Sequence, residues 1–542
     1  MRQYAFWFLR QMKIVKAQVL IRIVAGLTQV GFGLLLVWLC RRFIDYVIWK
    51  GDIVKETIVL FAVIAVLIGL RQVVYYFSNM AEVIEQNAIR QRLFGLVLGR
   101  RMYADAHALH SGDVSQRLDR DISEVVKITT SVLPGMVVTC VQLVGAFFLM
   151  HSIDSVLAWS LLVLTPVVVV SAKYLSHRLK QMTLDIRQEE SRIQMLIQET
   201  VEHELTIKSL QGERTVAGRV ERMQGKLQRL ISRRVRFTLI SRLLISLTFS
   251  FGYFGAFVYG AIQLRHGLIT FGVMTAFLQL VNQIQSPIMT LLGMIPQLIH
   301  SAASVDRLQD IERMDQEQKN NPLADGEVMT PPLGIRLTGV SYHYPQAQEE
   351  ILSAFSYDFR PATSTALLGE TGRGKTTLLR LLSGVLTPQE GSVELYDQAG
   401  HLMKGADMRR HIIYITQGNT LMSGSIRENL LLAHEEASEE EMRQALHAAM
   451  ADFVFQLPQG LDTLIGEHAI RLSEGQAQRI AIARGLLRKG SVMLLDEVSS
   501  ALDVKTEKEL FDRMFSAYPN RTIICVTHRP EAAERCEKVL KI

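Results

Sequence analysis

The distribution of apolar and polar positions divides the chain into two unlike parts. Six stretches, Val19–Leu39, Ile58–Tyr76, Val132–Met150, Val156–Leu175, Leu239–Ile262 and Phe271–Ile299, are apolar over enough residues to cross about 30 Å of hydrocarbon as helices. Short links join the first to the second, the third to the fourth and the fifth to the sixth. The two long polar segments, after the second and fourth stretches, therefore lie on one side of the membrane. Both keep helical spacing and lack clusters of Pro or Gly, which predicts helices that continue well past the bilayer. After Leu298 the long apolar runs stop. Beyond a linker at Asn320–Pro332, short apolar strands alternate with helices, the pattern of a parallel sheet. The predicted organisation is an all-α membrane domain with six helices over 1–319, a linker over 320–332 and an α/β domain over 333–542.

Composition agrees with this division. A chain of 542 residues exceeds what one ordinary core accommodates. Mean hydropathy is positive although 21% of the residues are charged, so the oily and polar parts must be segregated. The net charge of +6 is modest, and the basic residues stand beside the apolar spans and form no tail, which favours anionic lipid headgroups over nucleic acid as partners. Arg90, Arg92, Arg100, Arg101, Arg117 and Arg120 fall in the first long polar segment. Lys173, Arg178, Lys180, Arg187, Arg233, Arg234 and Arg236 fall in or beside the second. They make that side cytoplasmic and outnumber Arg41 and Arg42 on the other. Cys40, Cys140, Cys525 and Cys536 have no metal-ligand spacing, and no disulfide framework is expected. The start, MRQYAFWFLRQMKIVK, lacks the features of a cleaved signal and reads as an interfacial amphipathic lead-in.

In the last span Gln279, Asn282, Gln283 and Ser286 fall at i, i+3, i+4 and i+7 on one helical face. Polar groups facing lipid are costly, so this face meets either other helices through hydrogen bonds or a water-filled substrate path. Arg71 and Arg242, near span ends, read as snorkelling side chains. Pro166, Pro287 and Pro296 are expected to kink their helices.

The α/β part carries the sharpest chemistry. The apolar strand Ser364–Leu368 runs into Gly369, Glu370, Thr371, Gly372, Arg373, Gly374, Lys375, Thr376 and Thr377, followed by the helical run LLRLLSG. Strand before and helix after are the context a phosphate-binding loop requires. Its glycines let backbone N–H groups wrap phosphates, Lys375 reaches the terminal phosphates, and Thr376 can ligate Mg²⁺. A second apolar strand, Ser491–Leu495, ends in Asp496 and Glu497, at the carboxyl edge where such sheets bind ligands. Asp496 can hold Mg²⁺ through water, and Glu497 can polarise an attacking water. Between the two, Leu472-Ser473-Glu474-Gly475-Gln476 opens a helix; Ser473 and Gln476 have capping-box spacing, and a capped N-terminus is also an anion site.

Together these motifs resemble the ATP-binding cassette superfamily, and the six spans before them resemble its exporter branch; the resemblance extends over essentially the whole chain. It implies ATP and Mg²⁺ as cofactors, Tyr344 in SYHYP as the aromatic that stacks on adenine, and Gln417 in YITQ as a metal contact facing the membrane domain. LSEGQ is similar to the family signature, so Ser473, Gly475 and Gln476 would act on nucleotide held by another copy. Ser500 and Asp503 match the loop that crosses the dimer interface, and His528 in VTHRP the histidine that contacts the γ-phosphate. Segments near Ser111–Leu118 and Thr206–Glu213 resemble coupling helices. Two departures stand out. Glu474 replaces the first glycine of the signature, and Ile542 follows so soon after the histidine that the family's last strand and helix are expected to be shortened or absent.

With one phosphate loop and one signature per chain, a composite site needs a second copy, most simply in a symmetric homodimer, or a related half-transporter. The expected activity is ATP hydrolysis that drives a lipid, peptide or drug out of the cytoplasm or inner leaflet of a bacterial inner (cell) membrane. Lys375, Glu497 and His528 would be catalytic. The alternative is an ATP-gated channel or membrane regulator on the same scaffold. A soluble DNA-repair or translation ATPase is excluded by the apolar spans.

Overall fold

The computed structural model describes residues 2–47, 51–100, 111–316, 332–344, 350–370, 372–418, 420–466, 472–500, 502–529 and 533–542, without the side chains at 2, 3, 5, 46, 47, 111, 162–177, 180, 406 and 407. Cα packing separates two units. One comprises Met1–Gly95 with Ser111–Glu312, and the other contains Arg313–Ile542.

The first unit is helical: α1 (Arg2–Met12), α2 (Lys16–Arg42), α3 (Ile53–Leu98), α4 (Gly112–Ile153), α5 (Ser155–Glu202), α6 (Glu204–Ser209), α7 (Glu213–Arg265) and α8 (Phe271–Glu312). Among the described residues, five stretches are long and apolar enough to cross a membrane: Phe6–Asp45, Ile53–Leu98, Gly112–Ile153, Glu213–Arg265 and Phe271–Glu312. The fourth expected crossing lies on α5, a helix of 48 residues, but most of its side chains there are outside the described residues. At about 1.5 Å per residue, the 53 residues of α7 span about 80 Å, far beyond a bilayer, so the expected helical extensions form. Pro287 and Pro296 both sit inside α8. In α1, Trp7 and Phe8 are buried while Phe6 and Leu9 are exposed.

Helix α4 contains two π-helical segments, Arg117–Asp121 and Ile128–Val132. Widening the helix there displaces carbonyls from the regular ladder. Arg22 of α2 donates to two of them, the carbonyls of Thr130 and Ser131. On the other side Thr129 donates its hydroxyl to the buried Glu85 of α3. At the first π segment, Asp121 is 2% exposed and accepts from Arg307 Nε at 2.7 Å and from Ser304 Oγ at 3.0 Å, which joins α4 to α8. Lys226 on α7 donates to the buried Glu189 on α5 at 2.7 Å.

Among its described residues the second unit holds two larger sheets and a two-stranded one, in which β7 (Gly424–Ser425) pairs antiparallel with β8 (Leu464–Ile465). The larger antiparallel sheet has the order β2-β1-β4-β5, with β1 Gly334–Tyr342, β2 Leu352–Phe359, β4 Glu390–Tyr396 and β5 Leu402–Lys404. The parallel sheet has the order β11-β3-β10-β9-β6, with β3 Ser364–Leu368, β6 Ile412–Ile415, β9 Val492–Asp496, β10 Thr522–Val526 and β11 Lys538–Lys541. A last strand therefore does form: β11 pairs in parallel with β3. Side chains along β9 and β10 alternate between two cores. Met493, Leu495, Ile523 and Cys525 pack on one face with Ile480 and Phe511, whereas Val492, Leu494, Ile524 and Val526 pack on the other with Leu378 and Leu382. Helices α9 (Lys375–Leu382), α10 (Ile426–Leu431), α11 (Glu439–Ala448), α12 (Glu474–Leu487) and α13 (Val504–Ala517) complete the unit.

Asp121→Ala is expected to destabilise the helical unit by about 2–3 kcal/mol, below the usual cost of stranding a buried charge because the Arg307 head can turn to water. Thermal unfolding of the purified chain in detergent measures this, and an unchanged midpoint contradicts it.

Candidate nucleotide site

Strands that are buried on both faces leave polar chemistry only at their ends. Four neighbours in the parallel sheet, β3, β10, β9 and β6, end at one edge and run directly into the sequence-predicted residues. β3 leads into Gly369, β10 into Thr527 and His528, and β6 into Thr416 and Gln417. β9 ends on Asp496 and Glu497.

The loop from Gly369 to Gly374 turns onto the N-terminus of α9. Gly374, the residue before that helix, has φ 86°, and a Cβ there would meet the Ile351 side chain at 2.5 Å, so only glycine fits. Lys375 Nζ donates to the carbonyls of Gly369 (2.8 Å) and Glu370 (2.9 Å), which holds the ammonium over the loop it would share with phosphates. Gly372 is also left-handed, at φ 91°. Arg373 pairs with Glu370 at the surface. Thr371 lies outside the described residues. The helix N-terminus and loop N–H groups together make an anion site.

Thr376 Oγ1 donates to Asp496 Oδ1 at 3.2 Å, and the Tyr414 hydroxyl donates to Oδ2 at 3.2 Å. Burial pushes the Asp496 carboxyl above its usual range, and these two hydrogen bonds offset the effect only in part. A divalent cation would remove that penalty. The buried carboxylate and adjacent hydroxyl are a hard oxygen pair that fits a small one.

Glu497 is gripped on every side. Gln417 Nε2 donates to its Oε2 at 2.8 Å, and His528 Nε2 lies 2.8 Å from its Oε1. Its backbone stands at φ 48°, a strained value for a side chain of this size. The strain is held by its N–H donating to the Val526 carbonyl and by its own carbonyl accepting from Ser500 N–H and from the buried Gln478 Nε2. The carboxylate is thus aimed before any water arrives, a geometry suited to polarising a nucleophile.

Tyr344 is anchored by its hydroxyl, which accepts from Arg380 at 3.1 Å and lies 3.3 Å from Thr377 Oγ1, while its ring meets Tyr342 edge-on. This places the aromatic beside the first turn of α9. At α12 the capping box forms: Ser473 Oγ accepts from Gln476 N–H, and Gln476 Oε1 accepts from Ser473 N–H. Glu474 is exposed in the first turn, where its charge favours the helix N-terminus. Gly475 is half-buried in the same turn. Asp503 caps α13 by accepting from Thr506 N–H, and that bond lowers its carboxyl below the usual range. Among the described residues, no hydrogen bond or ion pair joins Ser473, Gly475 or Gln476 to the phosphate loop of the same chain. Sequence reasoning missed Tyr414, Gln478 and Arg380, which act only through tertiary contacts.

The chain is similar to known proteins over most of its length. A family model described as the ABC transporter transmembrane region matches residues 19–288, and one described as ABC transporter matches 352–500. An ATP-dependent lipid A-core flippase of Bordetella avium is 28% identical over 490 residues, 88% of this chain and 81% of its own. A Bacillus subtilis permease named provisionally for multidrug export is 24% identical over 547 residues, 98% and 93% of the two chains. The solved structure of a bacterial Atm1-family ABC exporter with ATP bound is similar in fold, with TM-score 0.81 at 19% identity over 98% of this chain and 94% of that one.

Glu497→Gln is expected to keep nucleotide affinity while turnover falls by about 10²–10⁴-fold. Lys375→Ala is expected to weaken ATP affinity by about tenfold or more. Equilibrium binding beside steady-state hydrolysis separates the two; near wild-type turnover in the first variant, or intact affinity in the second, removes the corresponding role.

Proposed function

Since the chain belongs to the ABC transporter family, as an exporter whose transmembrane region and ATPase share one polypeptide, we propose that it works as a symmetric pair of copies moving an amphipathic or hydrophobic cargo, such as a lipid, peptide or drug, out of the cytoplasm or the inner leaflet. The observation that carries this reading is the half-built site. Lys375, Thr376, Asp496, Glu497, Gln417 and His528 converge at one sheet edge, while Ser473, Gly475 and Gln476 stand unbonded to them on their own capped helix. A second copy related by a two-fold axis supplies the missing half to each site. Ser500 and Asp503 then meet the partner. A related half-transporter could take the same place.

In this reading Thr376, Asp496 and Gln417 would hold Mg²⁺, which would supply charge neutralisation on the phosphate oxygens. Lys375 and the loop N–H groups orient the terminal phosphates, and Tyr344 presents its ring to the adenine. His528 and Gln417 aim Glu497, which takes a proton from the attacking water. Closing two copies over two ATP molecules moves the long helical extensions, and hydrolysis releases them.

The cargo path is assigned to the exposed face of α8. Gln279, Asn282 and Ser286 are exposed and Gln283 is half-buried, while Phe277, Leu280, Val281 and Ile284 on the opposite face are fully packed. Gln283 Nε2 reaches the Gly33 carbonyl at 3.4 Å, so interhelical bonding accounts for only part of this stripe. Thr290, Gly293, Gln297 and His300 extend it at alternating steps of four and three residues, and no Asp, Glu, Lys or Arg falls between Phe271 and Val305. Such a face suits a cargo whose polar end is recognised by neutral hydrogen bonds beside an apolar body. The membrane is the bacterial inner membrane, with the ATPase unit on the cytoplasmic side.

Inverted vesicles carrying the chain are expected to accumulate such a cargo only with hydrolysable ATP, and Gln279→Ala with Gln283→Ala to reduce cargo-stimulated hydrolysis by about threefold or more while basal hydrolysis stays unchanged. ATP-gated downhill ion current without accumulation points to a channel instead.

A further inference from the structure

Arg529 follows His528 directly, yet its side chain leaves the nucleotide edge. Its Nη1 donates to the Leu502 carbonyl at 2.9 Å and to Glu507 Oε2 at 2.9 Å, and its Nη2 approaches the Ser500 carbonyl at 3.5 Å. Glu507, on the first turn of α13, is 2% exposed, and its other oxygen is buried with no hydrogen-bond partner. A carboxylate so placed depends on Arg529 for its charge balance. The Arg529 N–H donates to Thr527 Oγ1, which stiffens the turn that carries the histidine. One guanidinium therefore grips both ends of the Ser500–Asp503 loop while its own backbone is the continuation of the His528 loop. The planar fork of arginine meets two carbonyls and a carboxylate at once, which the single head of a lysine cannot do.

We propose that Arg529 is a positioning residue that locks the Ser500–Asp503 loop to the His528 loop, so that contact of His528 with nucleotide at one site sets the loop offered to the second copy. This rests on the two-copy reading above. Without the lock, Ser500 N–H and the Glu497 carbonyl still close their local turn, but nothing holds the Leu502 end in step with His528. The phosphate loop, Tyr344 and the metal-binding pair make no contact with Arg529 among the described hydrogen bonds, so binding of ATP to one chain should survive its loss.

The test uses the purified full-length chain in lipid nanodiscs with ATP as the probe, comparing Arg529→Ala, Arg529→Lys and Glu507→Gln with the unmodified protein. Expected are a fall in kcat of about tenfold for Arg529→Ala, a KM within about twofold, and a Hill coefficient for ATP that drops toward one, with Arg529→Lys intermediate. Glu507→Gln, which removes the carboxylate charge but keeps its shape, should reproduce the loss of cooperativity with a smaller fall in kcat. A purely structural role would instead lower the melting temperature and move kcat and KM together. The lock is overturned if Arg529→Ala keeps the kcat and cooperativity of the unmodified chain, or if all its effects follow the loss of thermal stability. Failure of Glu497→Gln and Ser473→Arg chains, co-assembled in one nanodisc, to regain hydrolysis overturns the two-copy reading and the lock with it, whereas regained hydrolysis beside an unaltered Arg529→Ala protein overturns the lock alone.

Discussion

The rest of the molecule depends on one constraint: a parallel sheet whose central strands are apolar on both faces can place chemistry only where those strands stop. β9 and β10 are buried throughout, and their side chains alternate between two separate cores. Shifting either strand by one residue would exchange its core-facing sets and move Asp496 or His528 off the common edge. Packing energy in the interior is therefore what holds Thr376, Asp496, Glu497 and His528 within hydrogen-bonding reach. The strained backbone of Glu497 persists because Val526, Ser500 and Gln478 bind it on three sides.

The helical unit follows a different logic. Helices α3, α4, α5, α7 and α8 are far longer than a bilayer is thick, and their polar extensions are pinned by ionic contacts to buried carboxylates, Arg307 with Asp121 and Lys226 with Glu189. Within the apolar region some polar groups are matched to partners on other helices, as Arg22 is at the second π segment and Glu85 with Thr129, and others are gathered on the exposed face of α8. A stiff bundle with one neutral polar face suits both mechanical coupling and passage of an amphipathic molecule.

Much of this was legible in the residues because it is local. The phosphate loop, the Asp496–Glu497 pair and the capping box at Ser473 each occupy a short stretch flanked by the elements their chemistry requires, and the structure places them at strand ends and a helix start accordingly. The long helices were legible from sustained periodicity without breakers. What stayed hidden joins distant positions. Tyr414 reaches Asp496 across 82 residues, Gln478 reaches Glu497 from another helix, and Arg380 reaches Tyr344 from the phosphate-loop helix. None of these side chains has a local signal separating it from an ordinary core tyrosine, helix glutamine or surface arginine. The last strand is short, and four residues suffice for it to pair in parallel with β3. The π segments of α4 leave no composition mark at all, since the same residues would build a regular helix.

The central claim is that each ATP site is assembled from two copies, and complementation in trans tests it most directly. A chain with Glu497→Gln lacks the proposed base, and a chain with Ser473→Arg blocks the segment proposed to serve the other copy. ATP hydrolysis is measured for each variant alone and for the two co-assembled in one membrane. If sites form between copies, the mixed population regains hydrolysis, because one site then pairs an intact Glu497 with an intact Ser473 segment. If the mixture stays as inactive as its components while the unmodified chain hydrolyses ATP normally, each site is built within a single chain and the account is wrong.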